Sequence, residues 1–313
     1  MLLQRLAASA CVHSRAGSIN KSMFKSIAHS ILVVIFFTLL LTGCSVTNEP
    51  DTTNLLMGNP SEARHDASDK DNYLMVKKYF TLSYNNSKGT PNWVSWHLDE
   101  KDLGNAPRKQ FHPDEDLPFG FIQITPKDYT GGGFDRGHMC PHSDRSADDD
   151  MSYETFLMSN MIPQSPHVNQ KAWAQLEMYC RELVEKQRKS LYIIDGPVGQ
   201  GGTGRTGFKL TVGKVHEVTV PAKCWKVIMV LDSAAGDDLN KVNENTRIIA
   251  VIMPNDMTVG ESWGEFRVSV KAVEALTGYK FFNKVPASII EPLKAKVDNE
   301  TVTFYKSIVH RGK

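Results

Sequence analysis

The sequence predicts one α+β domain in which helices pack on a mixed or antiparallel central sheet. Residues 224–231 and 247–253 are apolar and rich in β-branched side chains, the composition expected of central strands. Residues 168–188 contain almost no helix-breaking residue and predict the main helix. No internal repeat is evident, so these elements are assigned to a single domain.

The remaining predicted elements are shorter. Residues 92–98 predict a half-buried strand, residues 119–124 another strand, and residues 191–194 a buried strand. Residues 269–276 predict a short helix that ends at Gly278. The aromatic residues that follow it are expected in the core: Tyr279, Phe281 and Phe282.

A glycine-rich segment includes the pattern Gly199-x-Gly201-x-x-Gly204. This pattern formally matches the dinucleotide-binding fingerprint, which requires a helix directly after it. Residues 208–213 instead predict a strand or hairpin arm. We therefore interpret the segment as a glycine-rich turn and not as a cofactor site.

The first 43 residues are basic, lack acidic residues and include an apolar run at residues 31–41. Such a run is shorter than the roughly 20 residues that cross a bilayer and is typical of an export signal. Residues 41–44, Leu-Thr-Gly-Cys, resemble a bacterial lipobox. This resemblance implies cleavage before Cys44, lipidation of its thiol, and attachment to a bacterial membrane, the outer membrane or cell surface more than the inner membrane. An ordinary signal peptide is the alternative, and Met1 and Met23 are both candidate starts.

Residues 44–72 are polar and predict a flexible tether, which leaves residues 73–313 as the folded domain. Without the leader, the chain has 32 basic and 35 acidic residues. Proteins that bind nucleic acid without reading its sequence are usually basic. A nucleic-acid partner would therefore need positive charge that is concentrated locally.

Three cysteines remain in the predicted domain, Cys140, Cys180 and Cys224. An odd number in an exported protein is compatible with one disulfide and one free thiol, or with buried thiols only. A domain of this size needs no disulfide to be stable, and the sequence leaves both arrangements open.

Residues 135–138, Asp-Arg-Gly-His, follow three glycines and concentrate chemically useful side chains. On an extended segment, Arg136 and His138 point to the same side. The imidazole can accept a proton near neutral pH, and the guanidinium can hold a phosphate oxygen. Gly137 allows another backbone or a ligand to approach closely. This combination suits the hydrolysis of phosphodiesters.

The predicted main helix carries Asn169, Trp173, Glu177 and Arg181 at every fourth position, so they form one stripe. The alternative is a solvated helix face with a Glu177–Arg181 ion pair. Asparagine is a poor mid-helix residue, and its place at the helix start favours presentation to a ligand.

These features, together with residues 160–164, Asn-Met-Ile-Pro-Gln, resemble the DNA/RNA non-specific endonuclease family in order and spacing. That family comprises the sugar-nonspecific nucleases related to endonuclease G. The likeness extends over about residues 79–282. It implies a ββα-metal (His-Me finger) fold and hydrolysis of DNA and RNA that depends on Mg²⁺, with Mn²⁺ as a substitute.

By this resemblance, His138 is the general base, Asn169 the direct metal ligand, and Glu177 a support for the water shell of the metal. The binding of phosphate oxygens is assigned to Arg108, Arg136 and Arg181. No motif around Arg108 fixes its alignment with the family. Supporting roles are assigned to Asp135, which braces the loop, and to Asn160 and Gln164, which orient His138 and the metal site. The alternative for the last two is ordinary loop-capping amides. No base-reading module is evident, so low sequence specificity is expected.

Two other functions compete with this interpretation. The first is a structural zinc site, although its residue spacing is unlike the usual ligand knuckles: His138, Cys140, His142 and Cys180. The second is a catalytically silent binding lipoprotein. The presence of His138, Asn169 and Glu177 together argues against the silent form.

Overall fold

The central sheet of the protein has six antiparallel strands. The structure is a computed structural model that describes residues 53–233 and 237–301. Its strands are β1 Tyr73–Val76, β2 Thr81–Asn85, β3 Thr90–Leu98, β4 Asp135–His138, β5 Met161–Gln164, β6 Lys189–Val198, β7 Gly202–Gly204, β8 Gly207–Lys209, β9 Thr211–Val212, β10 Val218–Thr219, β11 Lys223–Asp232 and β12 Arg247–Pro254. The order in the central sheet is β1-β2-β3-β6-β11-β12, and three small ribbons pair β4 with β5, β7 with β8, and β9 with β10.

The α-helices of the described residues are α1 Asp149–Thr155, α2 Trp173–Gln187, α3 Asp238–Lys241, α4 Val270–Thr277 and α5 Ala287–Ala295. The predicted main helix is α2, preceded by one π-helical turn at Val168–Ala172. The predicted short helix is α4, which Ser269 caps at its start and Gly278 ends in a left-handed conformation. None of these α-helices is long and apolar enough to cross a bilayer.

Most strand predictions are confirmed, and three need correction. Residues 92–98 lie in β3, which is buried at every position and not half-buried, because both faces of the sheet are covered by hydrophobic cores. Residues 119–124 form no strand, because side chains satisfy this segment: Lys70 donates to the Gly120 carbonyl and Asn86 accepts from the Ile122 amide. The segment at residues 247–253 is β12, which lies at the edge of the sheet and not at its centre. Its apolar composition reflects burial on both faces, because Val251 lies in the core cluster with α2 residues and Ala250 in the cluster with α4 and α5 residues.

Residues 53–72 are packed on the domain and are not a flexible tether. The Ser95 hydroxyl donates to the Asn54 carbonyl at 2.6 Å, and the Asn54 side chain accepts from the His97 amide at 3.0 Å. Met57 is buried in the same core cluster as α4 and α5 residues. The predicted tether is therefore too long at its C-terminal side, while residues 1–52, with the predicted export signal and Cys44, lie outside the described residues.

The sheet separates two hydrophobic cores. One core joins the sheet to α2 through residues such as Trp96 and Trp173, and the other joins it to α4 and α5 through Trp225 and Ile290. Phe281 and Phe282 are buried in the second core, as predicted, and Tyr279 packs against it. Cys140, Cys180 and Cys224 are buried free thiols.

Candidate active site

The Asp-Arg-Gly-His segment forms β4 and pairs with β5, so that His138 lies opposite Met161 and Gly137 opposite Ile162. A β-carbon at Gly137 would lie 2.3 Å from Gln164 Oε1. The close approach predicted at Gly137 is therefore to Gln164. Asn160 accepts from the Cys140 amide at 2.9 Å and donates to the Cys140 carbonyl at 2.8 Å. Both supporting amides thus lie against β4 and the residues after it.

Arg136 and His138 lie on the same side of β4, as the strand alternation predicts. The Arg136 guanidinium lies 5.2 Å from the Phe111 ring centroid, and the His138 ring lies 5.5 Å from the same ring. Phe156 contacts His138 edge to face at 4.9 Å, and its ring also lies 5.0 Å from the Arg108 guanidinium. Phe111 and Phe156 therefore hold both cations and the imidazole in place.

The environment of His138 favours the neutral imidazole. Burial is the main cause that lowers its pKa to about 3, and Arg108 and His142 add to the effect. The residue keeps partial exposure, while its Nε2 atom is buried without a hydrogen-bond partner in the described residues. A neutral imidazole at neutral pH is the protonation state that a general base requires.

Asp135 joins β4 to the start of α2. One carboxylate oxygen accepts from the Asn169 side chain at 2.9 Å and from the Gln170 side chain at 2.7 Å. The other accepts from Arg205 at 2.9 Å. Asn169 lies in the π-helical turn, a feature often found at functional sites. Because its amide nitrogen donates to Asp135, its carbonyl oxygen is the side-chain atom that could bind a ligand.

A cavity of about 480 Å³ lies in front of these groups. It is lined by Arg108, Phe111, Tyr129, Thr130, Gly131, Phe134, Asp135, Arg136 and Asn169. A larger cavity of about 790 Å³, at the C-terminal end of α2, is lined by none of the predicted site residues. The smaller cavity is therefore the one lined by predicted site residues, since Arg108, Arg136 and Asn169 converge on it, while His138 is not part of its lining.

Glu177 lies further along α2, among charged side chains. Burial raises the pKa of its carboxyl group to about 7, against the opposing effect of Lys226, Arg181 and Arg108. Arg181 does not form the surface pair with Glu177 that was the alternative interpretation of the helix stripe. It donates to the buried Asp144 at 2.9 Å, and Asp144 also accepts from Trp96 at 3.1 Å. The catalytic roles of Glu177 and Arg181 remain predictions.

The sequence interpretation missed a charged pair beneath α2. Lys226 on β11 and Asp195 on β6 lie opposite each other, 3.1 Å apart at their charged atoms, with both side chains almost fully buried. The Lys226 ammonium lies 4.3 Å from the Trp173 ring centroid and 5.2 Å from that of Trp96. Both residues stand in apolar strand segments, and nothing in the sequence indicates that they meet.

Among the described residues, one group of histidine, cysteine and acidic side chains has ligand atoms that converge as in a metal site: His97, Asp99 and Asp102. This is a possible metal site, but Asp102 already contacts Arg145 at 3.2 Å and Asp99 contacts Lys101 at 3.1 Å. The predicted zinc alternative around His138 does not form such a group in the described part of the chain.

Comparisons with known proteins identify the family of the chain. A sequence profile of the DNA/RNA non-specific endonuclease family matches residues 57–288. A nuclease of Nostoc sp. is 45% identical over 271 residues, which cover 83% of this chain and 95% of the relative. A nuclease of Serratia marcescens is 29% identical over 72% of this chain and 80% of its own.

A solved structure of an EndoG/EndoGI complex is similar in fold, with a TM-score of 0.62 and 24% identity over 78% of this chain and 96% of the other. The antiparallel sheet, with the β4–β5 ribbon beside α2, is therefore that of a ββα-metal enzyme that hydrolyses nucleic acids. The chain belongs to the DNA/RNA non-specific endonuclease family.

Proposed function

We propose that this protein is a Mg²⁺-dependent endonuclease that cleaves phosphodiester bonds of both DNA and RNA, in which Mn²⁺ can replace Mg²⁺. The observation that carries the proposal is the bridge from Asp135 to Asn169, which brings the β4 strand of His138 to the start of α2. Two guanidinium groups and the Asn169 amide line one cavity, and the His138 imidazole lies 5.5 Å from Phe111, whose ring also lines it.

The donors at this cavity fit Mg²⁺. Asp135 is already occupied by three donors, so Asn169 offers the available oxygen. Mg²⁺ dehydrates reluctantly and keeps several waters, which makes one neutral protein ligand sufficient. When bound, the ion would stabilise the leaving oxygen and the charge on phosphorus. Glu177 would hydrogen-bond to its water shell.

The residues of the chain divide the remaining chemistry. The neutral His138 takes a proton from the attacking water. Arg136 and Arg108 hold phosphate oxygens, with the forked guanidinium geometry that suits them, and Arg181 reinforces the charge from α2. Phe111 and Phe156 restrict the motion of His138, Arg136 and Arg108. Because no group in this set reads bases, cleavage is expected to show little sequence preference.

The decisive experiment incubates the purified domain with supercoiled DNA and with RNA, in Mg²⁺ or in EDTA. Wild-type protein should cut both in Mg²⁺ and neither in EDTA. His138→Ala should lower kcat by roughly 10²–10⁴-fold, the usual contribution of general base catalysis, with circular dichroism unchanged. Nicking by His138→Ala at the wild-type rate would remove His138 from the mechanism.

Asn169→Ala tests metal ligation separately. The variant should need a higher Mg²⁺ concentration for half-maximal activity, and excess metal should restore part of the rate. Failure of any Mg²⁺ or Mn²⁺ concentration to restore activity, with the fold intact, would argue against direct ligation. A catalytically silent binding protein would bind DNA in both metal conditions without cutting it.

We further propose that the protein is exported and lipid-anchored through Cys44 at the outer membrane or cell surface of a bacterium. The support is the basic, acid-free leader and the Leu-Thr-Gly-Cys sequence. Expression with a labelled fatty acid should label the wild type and not Cys44→Ala. Equal labelling of the two would refute lipidation at that residue.

A further inference from the structure

The glycine-rich segment that the catalytic mechanism leaves unused forms the β7–β8 hairpin, and its tip docks on the catalytic loop. The Arg205 amide donates to the Gly133 carbonyl at 2.8 Å, and the Arg205 side chain donates to Asp135. The Thr206 hydroxyl donates to the Gly132 carbonyl at 3.1 Å. The hairpin is therefore fixed to Asp135, which holds Asn169, and to the two glycines before it.

Just beyond this tip, large apolar side chains are exposed. Phe208 is 64% exposed, Leu210 54% and Val215 80%. Phe208 pairs with Thr203 across the hairpin, and a β-carbon at Gly201 would lie 2.5 Å from the Phe208 ring. The ring therefore rests on the Gly201 backbone and presents the rest of its surface to solvent. The exposed face of this braced ring is therefore available to a binding partner.

The charge of the same segment identifies the class of partner. Residues 196–216 contain Arg205, Lys209 and Lys214 and no acidic residue, in a chain that is mildly acidic without its leader. Arg205 is paired with Asp135, whereas Lys209 and Lys214 form no ion pair with any described residue. Basic side chains interleaved with an exposed aromatic ring are the usual surface for single-stranded nucleic acid, because phosphates pair with the cations and bases stack on the ring.

The position of Phe208 matches this partner. Phe208 follows Arg205 by three positions, so extended chain places it at most about 11 Å from the tip that contacts Asp135. Asp135 also lines the cavity, so Phe208 lies close to the cavity along the chain. A strand with its phosphate in the cavity could therefore continue onto the hairpin.

We propose that the β7–β8 hairpin is a strand-binding subsite, in which Phe208 stacks on an unpaired base close to the cleaved phosphate and Lys209 and Lys214 contact the flanking phosphates. The subsite deepens the proposed nuclease function and rests on it. It favours single-stranded DNA or RNA over duplex, because a base must be unstacked to expose its face to Phe208.

Binding tests the subsite independently of catalysis. The His138→Ala protein is titrated with a fluorescent single-stranded 12-nucleotide DNA and with the matching duplex, and anisotropy is measured in Mg²⁺. Adding Phe208→Ala should weaken single-strand binding about tenfold, the scale of one stacked base, and change duplex binding much less. Phe208→Trp should keep the affinity, and its indole fluorescence should be quenched by the oligonucleotide.

Phe119→Ala is the matched control, since Phe119 is a fully exposed phenylalanine whose loop is held by Lys70 near the β1–β2 edge. It should leave binding unchanged. Equal single-strand affinity of the His138→Ala protein with and without the added Phe208→Ala substitution would overturn the subsite. A second result would also overturn it: Phe208→Ala leaves oligonucleotide binding unchanged but abolishes binding to anionic phospholipid vesicles. That result would assign the hairpin to a membrane surface.

Cleavage separates this proposal from the nuclease function. Phe208→Ala in the active protein should lose about tenfold in kcat/KM on single-stranded DNA, matching one stacking contact. Hydrolysis of bis(4-nitrophenyl) phosphate, which is too small to reach the hairpin, should not change. If Phe208→Ala slowed cleavage of both substrates, the subsite proposal would be overturned. If the wild-type protein cleaved neither substrate but still bound single strands in a Phe208-dependent way, only the nuclease proposal would be refuted.

Discussion

The central sheet and the β4–β5 ribbon are held together in different ways. Strands β6 and β11 pair over ten positions, and hydrophobic cores cover both faces of the sheet. The ribbon pairs over four positions, and an isolated two-stranded ribbon is at best marginally stable. Polar side chains such as Asp135 and Asn160 tie β4 and the residues after it to neighbouring segments, while β5 is buried in the hydrophobic cores. The sheet should therefore control stability, and the ribbon should control activity.

The largest effect on stability is expected from Lys226→Met, in the sheet. Removing one partner of a buried ion pair costs about 3–5 kcal/mol, because the other charge stays buried. Here the remaining group is Asp195, whose pKa burial already raises to about 7. Urea denaturation should show the loss, and the double variant Lys226→Met, Asp195→Leu should recover part of it. If Lys226→Met were as stable as the wild type, the statement that the sheet controls stability would be contradicted.

In the ribbon, Asp135→Asn should reduce activity with little change in stability. The variant keeps the shape of the side chain but loses the charge that receives Asn169, Gln170 and Arg205. Replacing residues that orient a metal ligand typically lowers activity or metal affinity by about 10–100-fold. Nicking rates and thermal unfolding measured side by side would check this. If Asp135→Asn lost much of its stability but kept normal activity, the ribbon would control stability and not activity.

Glu177→Gln is expected to raise the stability of the folded protein above pH 4 and to lower its activity. The folded-state pKa of Glu177 is about 7, above the ordinary value of about 4.3 in an unfolded chain. Between these values the folded protein retains a proton that the unfolded chain releases, so wild-type stability falls as pH rises.

The glutamine variant lacks this loss. Its free energy of unfolding at pH 8, relative to wild type, should be higher by about 1–3 kcal/mol, and the difference should vanish near pH 4. Activity should be strongly reduced at both pH values. Denaturation curves of the two proteins at pH 4 and pH 8 provide the measurement, and a pH-independent difference would contradict the titration of Glu177.

Elements with strong local patterns were predicted correctly. The long breaker-free segment is α2, and the apolar run at residues 224–231 lies in β11. The prediction of a strand at residues 119–124 was wrong, because the apolar residues of this segment do not face a partner strand. Phe119, for example, is fully exposed. The alternation in Asp-Arg-Gly-His placed Arg136 and His138 on one side correctly.

Contacts between distant segments could not be predicted. Arg205 reaches Asp135 across 70 positions of sequence, and Asp144 receives Arg181 across 37. Phe111 and Phe156 carry no local signal that they will contact His138. Such pairs depend on how the strands are ordered in the sheet, which residue patterns do not specify.

The sequence by itself determined the family, the α+β class, and which side chains could carry phosphodiester chemistry, because residue type and short-range spacing contain that information. Only the tertiary structure decided that Asp135 holds Asn169, that Arg181 pairs with Asp144, and that the glycine-rich hairpin docks beside the cavity. These are choices among several available partners. A side chain selects its partner only when packing removes water and brings one candidate within hydrogen-bond distance.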